Sequence, residues 1–311
     1  MQPRAFEARP AFLTASGIAK VTADAIPIVM VSGMAAAALL LNEFVGLTWS
    51  VGLLALAAPS IACFALSWIY VSVRPNPRVA EATLYAGLWL IYPTFGIQLT
   101  YLANLLRFPF QDRLFTAGDS ALGFSWIDWA HFVSSHPAIE TSLRLAYESH
   151  YWQPLISIPI LAIWGPRGRN AELLTAMLLA LIATIIISGL LPAMGPADAY
   201  GFKPAYSDAI RALRSGQYHG LSYAGIVSFP SYHTVMAILF TYAHRANRRT
   251  FPAVFALNIL MLISIPFAGT HYLTDMIGGA FVAIGALLAS RRIQLVLSTH
   301  TIGYSQKALA A

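Results

Sequence analysis

The chain is poor in charge. Asp, Glu, Lys and Arg make up 10% of its 311 residues, where a soluble domain carries about a quarter. An ordinary solvated surface is excluded, and a hydrophobic content of 58% points to a membrane. Cysteine is nearly absent: Cys63 is alone, inside an apolar run, which excludes an intramolecular disulfide framework and a cysteine-based metal site. Internal repeats, low-complexity tracts and a linker to a soluble domain are missing as well. No cleavable signal peptide is expected, because residues 1–24 hold Arg4, Glu7, Arg9, Lys20 and Asp24 without a continuous apolar core. They read as an amphipathic lead-in. The net charge of +6 is spread over short loops, which argues for loop orientation in a membrane and against nucleic acid.

What is present is a series of apolar runs. Eight are about long enough to span a bilayer, at 26–46, 51–73, 79–104, 140–164, 172–193, 232–247, 252–269 and 271–290. Pro75 and Pro77 follow the second, Pro166 the fourth, and Pro252 opens the seventh. The expected fold is an all-α integral membrane protein with about eight transmembrane helices. Residues 1–78 are a lead-in with two additional helices, 79–293 a catalytic membrane domain, and 294–311 a cytoplasmic tail. Thirteen of the nineteen Lys and Arg fall on the side that holds the termini, among them Arg74, Arg78, Arg167, Arg169, Arg245, Arg248, Arg249, Arg291 and Arg292. That bias places both termini in the cytoplasm, in an inner or plasma membrane. The two long segments, 105–139 and 194–229, then lie outside. The first is dense in aromatics, as suits an amphipathic surface segment.

Two stretches carry chemistry. Phe229-Pro230-Ser231-Tyr232-His233 opens the sixth span, and His271-Tyr272-Leu273-Thr274-Asp275 opens the eighth. Residues 234–270 run down one helix and back up another. Half that path, at about 1.5 Å per residue, is roughly 28 Å, so both imidazoles return to one membrane depth. Asp275, four residues after His271, lies one turn on along the same helical side. There a carboxylate can hold one imidazole nitrogen and point the other outward as nucleophile or base. Pro230 and Ser231 place a helix N-terminus beside His233, where backbone N–H groups and the Ser231 hydroxyl suit a phosphate. Lys203, Arg211 and Arg214 are candidate phosphate clamps or plain loop residues. His131, His136, His150, His219, His244 and His300 read as capping or interfacial residues, and Glu148 with His150 as walls of the outer cavity.

These residues resemble the type-2 phosphatidic acid phosphatase superfamily. Pro230-Ser231-Tyr232-His233 matches its Pro-Ser-Gly-His signature, and His271 with Asp275 its closing histidine and aspartate. The tyrosine in place of glycine, the His-Tyr-x-x-Asp form, and Leu191-Pro192-Ala193 ahead of Tyr200 resemble the branch containing fungal inositol phosphorylceramide synthase. The resemblance implies a six-helix core and a reaction without metal or other cofactor. His271 would attack phosphorus, Asp275 orient it, and His233 protonate the leaving group. Ser231 and Tyr232 would meet the phosphate. The implied substrate is a phospholipid or lipid phosphate, with water or a lipid alcohol as acceptor. Two signature positions depart: Ile265 stands where the superfamily has arginine, and no lysine lies seven residues before an Arg-Pro pair. Neutralising the phosphate therefore falls to Lys203, Arg211, Arg214 or Arg113. The competing readings are a zinc hydrolase on His233, His271 and Asp275 and a transporter, whose ionisable groups belong near mid-membrane. The apolar surfaces carry no legible pattern for self-association.

Overall fold

The computed structural model describes residues 15–49, 51–202, 204–217 and 225–310. Among them every regular element is helical. Each of the eight predicted segments falls on a helix: α1 Ala15–Val45, the pair α2 Val51–Leu54 and α3 Ala57–Ser72, α4 Pro77–Asn104, α7 Pro137–Trp164, α8 Arg169–Leu190, α11 Tyr232–Ala243, α12 Phe251–Ala268 and α13 Leu273–Ala310. Four are long and apolar enough to cross a membrane: Asp24–Val45 of α1, α8, α12 and Leu273–Val296 of α13. α4 and α7 have the length, 28 residues each, but carry Arg78, Glu81 and Gln98, and Glu140, Arg144, Glu148 and Gln153 along it. α3 and α11 are shorter, at 16 and 12 residues. The segment expected as a separate tail is continuous with α13.

α8 is the central pillar. It is 61% buried, against 22–28% for the other three apolar helices, which therefore keep broad faces for lipid. Ala171, Leu174, Met177, Leu178 and Ala180 of α8 form the middle of one core. It also takes in Tyr85, Leu88 and Trp89 of α4, Val235, Leu239 and Phe240 of α11, and Ala283 and Ala286 of α13. Within a bilayer such a core is held by close packing, since lipid tails are as apolar as these side chains.

The shorter helices collect over one end: α5 Asp112–Ala121, α6 Trp126–Ser134, α9 Pro196–Ala199 and α10 Ala205–Ser215. The segment expected to lie at the membrane surface also supplies a set of clamps. Trp126 Nε1 donates to the Pro266 carbonyl at 2.6 Å, satisfying one of the last carbonyls of α12. Asp119 accepts from Leu273 N, Thr274 N and Thr274 Oγ1 at 3.0, 2.8 and 2.7 Å, so α13 is capped by a carboxylate from a different helix. Asp112 accepts from Met194 N, Gly195 N and Tyr272 Oη. These two acidic side chains fasten the connection that carries His271.

Candidate active site

Ser231 is the N-cap of α11, its Oγ accepting from Thr234 N at 3.4 Å. Its own N–H donates to the backbone carbonyl of Asp275 at 3.0 Å, which ties the two motifs together directly. The approach depends on Gly279 of α13. A methyl group there would overlap the Ser231 carbonyl oxygen, and one on Gly278 would overlap the Phe229 ring. The α12–α13 connection is bent just before the histidine: Thr270 has φ +51, a rare conformation for a β-branched residue. The Thr270 hydroxyl is paired with Tyr206 Oη at 2.9 Å. Burial pushes the Tyr206 phenol up to about 12, so it stays neutral.

Asp275 is fully buried in the first turn of α13 and His271 nearly so. The Oδ2 atom of Asp275 accepts from Ser228 Oγ (2.7 Å), Tyr272 N (3.0 Å) and His271 Nδ1 (3.2 Å). With Nδ1 held by a carboxylate, Nε2 of His271 carries the lone pair. His233 stands opposite, its ring centroid 5.9 Å from that of His271. The predicted trio is thus brought together, with each imidazole at the mouth of a helix.

The other predicted residues divide. Ser231 is at the site. Tyr232 lines the cavity beside His233, its hydroxyl donating to the Met177 carbonyl at 3.1 Å. Arg211 is held by Asp198 at 2.6 and 2.8 Å and by Asp208 at 3.3 Å. Arg214 donates to the Phe108 carbonyl and lies over the Phe110 ring, 4.1 Å from its centroid. Arg113 is exposed, and Lys203 and His219 lie outside the described residues. Glu148, expected as a cavity wall, is also exposed, because two helical residues differ by about 200° and His150 takes the inner face.

Sequence reading missed Ser228 and Tyr147. His150, read as an interfacial histidine and as a wall of the outer cavity, packs edge-on to His233 with centroids 4.7 Å apart, and Tyr147 lies at 4.5 Å. The pair Tyr147 and His150 has the three-residue spacing that puts both on one face of α7; that spacing was the available signal. Both line a cavity of about 420 Å³ that opens beside His233. Its walls are otherwise mostly apolar, with Trp89, Pro93 and Ile97 of α4, Leu181 of α8 and Met236 of α11, and carry the hydroxyl groups of Thr100 and Thr184 as well. No Lys or Arg lines it among the described residues. Among those residues, too, no group of three or more His, Cys, Asp or Glu is arranged to hold a metal ion.

The arrangement offers a nucleophile aimed by a carboxylate, a second imidazole for proton transfer, and helix N-termini for an anion. The sequence matches the PAP2 superfamily over residues 113–289, a stretch that runs from α5 into α13 and contains both motifs. No curated protein and no solved structure matches the chain. Members of this superfamily are generally phosphatases. With the match covering over half of its length, this chain belongs to the PAP2 superfamily.

Proposed function

We propose that the protein is a metal-independent membrane enzyme that removes or transfers a phosphate-bearing lipid head group through a phosphohistidine on His271. The observation that carries this reading is the His271–Asp275 pair set against His233 at 5.9 Å. Asp275 holds Nδ1 and Nε2 attacks phosphorus. His233 protonates the departing oxygen, and Ser231 with the first N–H groups of α11 receives the phosphate oxygens. In the second half, water or a lipid alcohol takes the phosphoryl group from His271, with His233 now acting as base.

A lipid substrate is favoured by the cavity, whose apolar walls begin at His233 and suit a hydrocarbon chain. That no Lys or Arg lines those walls among the described residues, and that Arg211 and Arg214 are engaged elsewhere, favours a phosphodiester over a doubly charged monoester. This agrees with the Phe-Pro-Ser-x-His and His-Tyr-x-x-Asp forms of the inositol phosphorylceramide synthase-like branch. We place the site at the extracytoplasmic face and both termini in the cytoplasm, from the distribution of Arg and Lys.

The test is turnover by purified full-length protein in detergent with a chelator present. Headgroup-labelled phospholipids are offered with and without a lipid alcohol, and His271→Ala is run in parallel. Release of the labelled group to water makes the enzyme a hydrolase. A new labelled lipid that requires the alcohol makes it a transferase. Turnover that survives His271→Ala, or that the chelator abolishes, overturns the reading.

A further inference from the structure

His233 is gripped from outside the two motifs. Its Nδ1 lies 3.2 Å from the Tyr147 hydroxyl, in the middle of α7, and the two rings are in contact. One turn further along α7, His150 Nδ1 lies 2.7 Å from the Tyr147 backbone carbonyl. A carbonyl can only accept, so that nitrogen carries a proton and the bond fixes the His150 ring beside His233. The titratable groups facing His233 are therefore Tyr147 and His150 from α7, and His271 with Asp275 from the start of α13. Asp275 is already engaged by three donors.

The reaction needs one particular tautomer. An imidazole that gives a proton to a leaving oxygen, then takes one from an incoming hydroxyl, must use the same nitrogen twice. The other nitrogen must stay protonated throughout, or the first transfer would leave an imidazolate. We propose that Tyr147 is the positioning residue of His233: its hydroxyl oxygen accepts from Nδ1–H and leaves Nε2 to give and take the proton. This rests on the phosphohistidine reading. In the first half, the Nε2 proton passes to the leaving oxygen as its bond to phosphorus breaks and the bond from phosphorus to His271 Nε2 forms. In the second, His233 Nε2 takes the proton of water or an alcohol as that oxygen bonds to phosphorus and the phosphorus–nitrogen bond breaks. The Nδ1–H bond to Tyr147 persists through both.

Tyr147→Phe keeps the ring contact and removes only the oxygen. Single-turnover rates of the full-length variant are compared on a lipid ester with an alkoxide leaving group and on its p-nitrophenyl counterpart, which departs without protonation. We expect the first rate to fall about 10- to 100-fold, KM to change less than about 3-fold, and p-nitrophenolate release to stay near the wild-type rate. Equal losses on both substrates would assign Tyr147 to packing and overturn the proposal, as would no loss on either. His271→Ala separates the two levels. Wild-type turnover that does not need His271 defeats the reaction itself, whereas His271-dependent turnover with a neutral Tyr147→Phe defeats only the tyrosine. Should Tyr147→Phe not fold, nitrogen NMR of the wild-type histidines decides. An Nδ1-protonated neutral His233, assigned by its loss in His233→Gln, supports the proposal, and an Nε2-protonated one overturns it.

Discussion

Two buried carboxylates, Glu172 and Asp275, tie neighbouring elements together near the two ends of the apolar part of α13. At one end Glu172 of α8 is clasped by Arg169 at 2.5 Å and by Arg245, just past α11, at 3.3 Å. Ser290 of α13 donates to the Glu172 backbone, and Arg245 is stacked on Tyr242 at 3.4 Å. At the other end Asp275 of α13 is held by a hydroxyl, a backbone N–H and an imidazole, with no Arg or Lys partner among the described residues. Glu172 is neutralised in place, so its cluster can only fasten. In the proposed function, Asp275 instead directs its charge through His271 toward the phosphorus. A buried carboxylate with full cationic partners is a structural tie, and one that feeds an imidazole is a working part.

The contrast can be broken most severely at His271. His271→Ala should reduce turnover by on the order of 10⁴-fold or more, and Asp275→Asn by about 10³–10⁴-fold through loss of the held tautomer. Both are measured in detergent against an unfolding midpoint that moves little. Gly279→Ala comes next. Its methyl would push α13 off Ser231, at about 1–3 kcal/mol of stability, and should lower kcat about 10-fold or more by separating the motifs; thermal unfolding and kinetics on one preparation check it. Glu172→Gln should do the reverse. Leaving two arginines around a neutral side chain should cost roughly 3 kcal/mol and lower the unfolding midpoint by several degrees, with kcat of the folded fraction within about 3-fold of wild type. The smallest effect is expected at Arg211→Ala. Its exposed pairs with Asp198 and Asp208 should contribute under about 1 kcal/mol, and kcat/KM should change less than about 3-fold. A much larger kinetic loss would make Arg211 a phosphate clamp.

The helices and the grouping of His233, His271 and Asp275 were legible because their signals are local. Apolar runs mark helices, and His271 with Asp275 four residues on is one helical face. The supports were not, because they cross long separations in sequence. Asp112 and Asp119 reach Tyr272 and Thr274 from α5, and Tyr147 reaches His233 from α7. Read alone, α5 is an amphipathic surface segment. In the fold Asp112, Phe115 and Asp119 share the face that packs on the His271 connection, with Phe115 stacked on Phe229 at 4.5 Å. The partners of the arginines were not legible for a related reason: a charge in a loop near a motif says nothing of its partner, and Asp198 lies thirteen residues from Arg211. The two-residue step from Glu148 to His150 shows the same limit, since helical geometry turns only one of them inward.

The most direct test of the account is to trap the covalent step. Full-length protein is mixed with a phosphorus-labelled lipid substrate, quenched within the first turnover under conditions that preserve phosphoramidates, and mapped by mass spectrometry. The account predicts acid-labile label on His271, more of it in His233→Ala if a good leaving group is used, and none in His271→Ala. Wild-type turnover in His271→Ala, or label confined to another residue, would contradict it.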